Sequence, residues 1–301
     1  MRDTLERIPM TDAVVHRFVP GETLTDVLDS VVLLSNSDRF VSVDYLGEDV
    51  VDADTADLTV SAYQGLLDAL GPQSCGDPRP LEVSLKLSAL GQKLPRDGEK
   101  IALENAHAIC AKARDLGIWV TVDAEDHTTT DSTLSIVRAL RADFDCLAVV
   151  LQAYLKRTLG DCRDLAGSRI RLCKGAYDEP AAIAFHDRHA VTENYLRCLR
   201  VLMAGSGYPM VASHDPEIIA ASGELAREFG RGNDEFEYQM LYGIRDDEQR
   251  RLAVAGNHVR VYVPFGSQWY GYFIRRLAER PANLTFFLRA LAERHRSQPQ
   301  P

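Results

Sequence analysis

The chain has 301 residues, 46 % of them hydrophobic and 26 % charged, a balance that lets a globular core form without disulfide or metal staples. Its formal net charge of −10 argues against nucleic acid as the main partner, because phosphate binding needs a surplus of Lys and Arg. Six dispersed cysteines (Cys75, Cys110, Cys146, Cys162, Cys173 and Cys198) make no CxxC pair and no Cys/His metal spacing, which suits apolar filler in a reducing compartment.

Met1–Pro9 has no apolar core of signal-peptide length, and no run approaches the about 18 apolar residues of a membrane span. A cytoplasmic protein is expected, with peripheral contact at the inner face of a membrane left open. The first 70 or so residues read as helices: Glu22–Leu34 and Ala53–Leu70 carry apolar residues at helical spacing. Gly71–Pro80 is a breaker-rich link. Short apolar or alternating runs then recur at Leu81–Leu87, Ile118–Asp123, Cys146–Gln152, Ile170–Cys173, Met210–Ser213, Phe236–Leu241 and Val259–Val263. Helical patterns separate most of them: Glu99–Leu116, Asp131–Arg141, Glu217–Phe229 and Asp247–Ala255. Strands alternating with helices predict an α/β fold with a parallel sheet. Seven runs are visible, and the gap between Cys173 and Met210 has room for an eighth near Ala184–Thr192, with a helix over Glu193–Ala204. Eight strands would close a (β/α)₈ barrel, for which the about 215 residues after the link suffice; seven, or an open sheet, is the alternative. No GxGxxG follows the first run, which disfavours a Rossmann dinucleotide site.

Barrels of this kind place their chemistry at the C-terminal strand ends. The polar residues there are Lys86, Asp123 with Glu125 and Asp126, Gln152, Arg171 with Lys174, His214 with Asp215, Gln239 and Tyr262. Singly, each has an ordinary reading: a snorkelling lysine, a solvated turn, or an Asp215 N-cap before Pro216. Jointly they suggest a site. In Arg171-Leu-Cys-Lys-Gly-Ala-Tyr177, Gly175 lets a backbone approach a ligand closely and its turn can bind an anion. Tyr272, Arg275, Arg276 and Glu279 share one helical face, where paired guanidiniums can clamp a carboxylate. An exposed ion pair explains that spacing equally well.

Five segments resemble the signature segments of proline dehydrogenases: Val83–Leu90, Arg171–Tyr177, Phe236–Gly243, Arg260–Gly266 and Trp269–Asn283. They run in order from about Leu81 to Leu291. The resemblance implies a distorted (β/α)₈ TIM-type barrel with N-terminal helices, divided into a helical segment at 1–80, a barrel binding FAD and proline at 81–295 and a tail at 296–301. It implies oxidation of L-proline to Δ¹-pyrroline-5-carboxylate by hydride transfer from C5 to FAD N5, as the first step of proline catabolism, with electrons passed to a membrane quinone. Carried over residue by residue, Asp123 and Arg171 take the catalytic positions, with Arg171 near flavin N5. Arg275 and Arg276, with Lys86, take the proline carboxylate, and Glu279 braces Arg275. Tyr177, Leu241, Tyr262 and Tyr272 pack around the pyrrolidine ring. Ala124, Gln152, Arg171, Lys174, Gly175, Ala176, Ser213 and His214 hold FAD, and no metal is implied. Asp178 and Asp215 stand where bifunctional members often carry Trp and Asn, and with the chain length they match the short, monofunctional bacterial branch. Two rival readings remain: a Schiff-base aldolase using Lys86 or Lys174, and a non-enzymatic proline or flavin sensor.

Overall fold

The computed structural model describes residues 15–74, 80–145 and 147–278, with side chains described as far as Phe273. Eight strands close in chain order into a barrel. They are β1 (Phe40–Tyr45), β2 (Glu82–Leu85), β3 (Trp119–Val122), β4 (Leu147–Gln152), β5 (Arg169–Cys173), β6 (Tyr208–Ala212), β7 (Glu237–Leu241) and β8 (His258–Phe265). Every pairing is parallel. The helices are α1 (Leu24–Ser35), α2 (Ala53–Ser74), α3 (Gly98–Asp115), α4 (Thr130–Leu140), α5 (Thr158–Asp164), α6 (Arg188–Ala204), α7 (Pro216–Glu228), α8 (Asp246–Val254) and α9 (Trp269–Ala278). None of the described helices is long and apolar enough to cross a membrane.

The eighth strand is not where the sequence reading places it. Asp187 caps α6 by accepting from the Ala190 N–H, so 188–192 are already helical. Before that cap, Ala184 makes only an isolated bridge to Leu155. The missing strand is β1, inside the stretch read as wholly helical, and it closes the barrel by pairing Val43 with both Val83 and Val263. A division at residue 80 therefore falls between β1 and β2. The supposed link also begins late: α2 runs through Gly71 and Pro72 to Ser74.

Strand side chains alternate between two faces, and here the faces differ in kind. Val41, Val43, Val83, Leu85, Val120 and Val122 face outward and are buried with Leu66, Leu67 and Leu70 of α2 and Ile109 of α3 in the main core. The alternate residues Ser42, Asp44, Glu82, Ser84, Thr121, Arg171, Glu237, Gln239 and Arg260 are also buried, but polar. Barrels are usually filled by branched apolar side chains. This one carries its hydrophobic core in the sheet–helix layer and a charged lattice within.

Candidate active site

Arg171 on β5 organises the barrel interior. Its Nη1 donates to Asp123 Oδ1 at 2.7 Å and Ser84 Oγ at 2.9 Å. Its Nη2 donates to Glu82 Oε1 at 2.6 Å and Ser42 Oγ at 3.3 Å. Since β5 neighbours only β4 and β6, these bonds cross the barrel to β1, β2 and β3. Asp123 follows β3 and also accepts from the Tyr262 hydroxyl at 2.9 Å. The Arg171 guanidinium carbon lies 5.4 Å from the Tyr262 ring centroid, a cation–π distance. Lys86, one residue past β2, donates to both oxygens of Asp44, at 2.8 and 2.6 Å, and stands 4.0 Å from Asp123.

A second charged level lies toward the N-terminal end. Arg169 joins Arg171 on Glu82, at 2.9 Å. Arg260 donates to both oxygens of Glu237 and to the carbonyls of Val41 and Pro80. Four carboxylates (Asp44, Glu82, Asp123, Glu237) thus face four cations (Lys86, Arg169, Arg171, Arg260). Buried charges persist only when compensated in this way. Burial opposes ionisation of Glu82, but Arg260, Arg171 and Arg169 overcome it and hold its pKa at about 2. Burial works against the Lys86 ammonium too, yet Asp44 and Asp123 raise its pKa above the ordinary lysine value. Burial and the nearby Asp123 and Asp44 charges push the Tyr262 phenol well above its usual range, so it stays a donor.

Two buried polar atoms at the mouth have no hydrogen-bond partner among the described residues: Arg171 Nε and Gln152 Oε1. Gln152 ends β4 at 4 % exposure. A cavity of about 10 Å³, close to the size of one water, lies against Ala124, Glu125 and Gln152. Orphaned buried groups are rare and call for an explanation, which a polar-edged ligand over the strand tips would supply.

The turn after β5 carries Lys174, Gly175, Ala176 and Tyr177. Gly175 adopts φ +109°, and a Cβ there would meet the Tyr154 ring at 2.2 Å, so the backbone lies directly on that ring. Ala176 is exposed, while Lys174, Gly175 and Tyr177 are half-buried. Glu179 fastens the turn, accepting from the His127 N–H at 2.8 Å and the Tyr154 hydroxyl at 3.3 Å. Lys174 donates to Asp215 at 2.6 Å and Thr192 at 3.2 Å. Asp215 also caps α7, with Pro216 at the first helical turn. Beside it, Ser213 is buried, and His214 Nε2 accepts from the Leu241 N–H at 2.9 Å, which joins the tips of β6 and β7.

Leu241 and Tyr262 pack against Ile244, Trp269, Tyr272 and Phe273, an apolar wall at the C-terminal ends of β7 and β8. Arg275 and Arg276 continue α9 beyond Tyr272. Their side chains, and all of Glu279, lie outside the described residues.

Asp44, Glu82, Ser42 and Ser84 belong to this network and escape the sequence reading. Their signal is alternation: Glu82, Ser84 and Lys86 occupy every second position of one strand, as Arg169 and Arg171 do of another. Asp44 goes unread because β1 does. The Schiff-base reading finds little support at Lys86, since imine chemistry needs a lysine whose charge is disfavoured, and Lys174 is ion-paired with Asp215. Lys86 is held charged. A larger cavity of about 570 Å³ opens at the opposite rim, beside Arg141, Arg169, Tyr208 and Arg231. Arg141 and Arg231 direct their donors largely to backbone carbonyls there, as expected of the stabilising end of a barrel.

A closed parallel barrel with charged and aromatic groups converging on its C-terminal mouth defines a (β/α)₈ protein with an enzyme-like site. The proline dehydrogenase family model matches residues 27–289. Proline dehydrogenase of Deinococcus radiodurans is 39 % identical over 280 residues, covering 92 % of this chain and 89 % of that protein. Proline dehydrogenase 1 of Bacillus subtilis is 36 % identical over 281 residues, covering 93 % and 91 %. The chain belongs to the proline dehydrogenase family. Its fold matches that of proline utilization A from Bdellovibrio bacteriovorus, a crystal structure inactivated by N-propargylglycine, at a TM-score of 0.84 and 22 % identity. That match covers 89 % of this chain and 32 % of the larger one.

Proposed function

We propose that the protein is a flavin-dependent proline dehydrogenase, oxidising L-proline to Δ¹-pyrroline-5-carboxylate at the C-terminal mouth of the barrel. The observation that carries this reading is the convergence there of Lys86, Asp123, Arg171 and Tyr262 in one hydrogen-bonded set. The residues present fit a flavin. Arg171 Nε and Gln152 Oε1 are orphaned polar atoms suited to the hydrogen-bonding edge of an isoalloxazine. The tight Gly175 turn and the polar tips after β5 and β6 suit its phosphate-bearing tail. Ala124, Gln152, Arg171, Lys174, Gly175, Ala176, Ser213 and His214 would hold FAD. FAD held by these residues would supply the two-electron acceptor for the C5 hydride.

The chain's own contribution is position and charge. Lys86, with Arg275 and Arg276 on α9, grips the substrate carboxylate through charge-assisted hydrogen bonds. Leu241, Tyr262 and Tyr272 form the wall against which the pyrrolidine ring rests, with Tyr177 completing it from the β5 turn. Asp123 orients Tyr262 and Arg171 rather than acting as a base: its carboxylate already accepts from both. Holding C5 against the acceptor turns binding energy into orientation. A membrane quinone as the onward acceptor, reached from a cytoplasmic protein by peripheral contact, is supported by the family resemblance.

Substituting Arg275→Met or Arg276→Met tests the grip. Each variant should raise KM for proline by about tenfold or more while keeping its FAD content. Unchanged proline kinetics in both would contradict the assignment.

A further inference from the structure

Asp44 is fully buried on β1, and the mechanism above gives it no role. Its carboxylate accepts two hydrogen bonds from one group, the Lys86 ammonium, at 2.8 and 2.6 Å. The barrel register explains the contact. Asp44 pairs with Ser84, and Lys86 lies two residues further along the neighbouring strand, so the two side chains meet diagonally on the inner face.

The other charged or titratable groups facing Lys86 are Asp123 and Glu125 beyond β3 and Tyr262 of β8, with Arg171 of β5 behind Asp123. Asp123, at 4.0 Å, is the competing anchor. Were Lys86 to settle there, it would crowd the bonds that Asp123 receives from Arg171 and Tyr262. An ammonium has three donors. Asp44 takes two of them from below and toward β1.

We propose that Asp44 is the positioning residue for the substrate carboxylate: it fixes the Lys86 ammonium through two hydrogen bonds and leaves its third N–H for the ligand. The inference rests on the reading of Lys86 as a carboxylate ligand. A second consequence concerns charge. Burial lowers the Lys86 pKa, and Asp44 is the largest influence opposing it. Without Asp44 the grip would weaken as pH rises.

The test compares Asp44→Asn and Lys86→Met as purified flavin-loaded proteins. Asp44→Asn should raise KM for proline about tenfold, with kcat within about twofold and flavin content unchanged, the signature of lost ground-state binding. Raising the pH from about 7 to about 9 should increase its KM further relative to the parent, because Lys86 then titrates. A purely structural role would change stability without this split or this pH dependence. If Lys86→Met raises KM while Asp44→Asn matches the parent at both pH values, the proposal is overturned and the Lys86 assignment stands. If both variants match the parent, the Lys86 assignment fails and the proposal with it. Should Asp44→Asn not fold, Asp44→Glu decides: it moves the charge by one methylene, so a raised KM with kcat kept supports the proposal, and a parental KM overturns it.

Discussion

Glu82 shows how much of the site rests on one buried side chain. It has no exposed surface and binds Arg169 and Arg171 together. Removing its charge leaves two guanidiniums short of a partner, a change worth about 3–5 kcal/mol for a buried pair. The pH dependence has a definite sign. The folded pKa of about 2 lies below the ordinary glutamate value of 4.5, so the stabilisation is complete above the unfolded pKa and disappears as pH falls toward 2. That difference amounts to about 3 kcal/mol. Glu82→Gln should therefore unfold at lower denaturant concentration near neutral pH and show a shallower loss of stability between about pH 4.5 and about pH 2. Equilibrium unfolding at stepped pH checks this; parallel curves for variant and parent would contradict it.

Among the elements, the turn from β5 toward α6 is tightly constrained. Gly175 sits at φ +109° with the Tyr154 ring where a Cβ would be, and Glu179 pins the turn to the loops after β3 and β4. Gly175→Ala should cost about 1–3 kcal/mol of local strain and displace the turn. The variant should purify with less flavin than the parent yet keep its far-UV circular dichroism; full flavin occupancy would contradict the assignment of this turn to the cofactor. The seven strands after residue 80 are legible because each is a short apolar or alternating run, most of them flanked by helical periodicity. The first strand is not: Val41, Val43 and Tyr45 pack with the core, but Ser42 and Asp44 dilute the apolar signal between two helices. The Asp215–Pro216 cap is legible because it is local, and it stands in the structure as a cap that also receives Lys174. The Glu82 and Asp44 contacts are not local. Their partners come from β5 and β2, and pairing across a barrel cannot be read until the strands are closed.

At the scale of the whole molecule, the two ends of the barrel differ in what their charges do. At the N-terminal rim, Arg141, Arg231 and Arg260 donate to backbone carbonyls, and Arg260 also to the fixed carboxylate of Glu237. At the C-terminal mouth, Arg171 and Gln152 keep polar atoms without a partner among the described residues, beside an apolar wall of Leu241, Tyr262 and Tyr272. An even charge balance within the barrel lets the mouth hold these groups at fixed positions, where they can orient a substrate without rearranging. The most direct test is the visible spectrum of the purified protein before and after L-proline is added without oxygen. The absorbance of an oxidised flavin should be present at the start and bleach on addition of proline, and in Arg171→Met it should be weaker or bleach more slowly. A colourless protein, or a flavin spectrum that proline leaves untouched, would contradict the account.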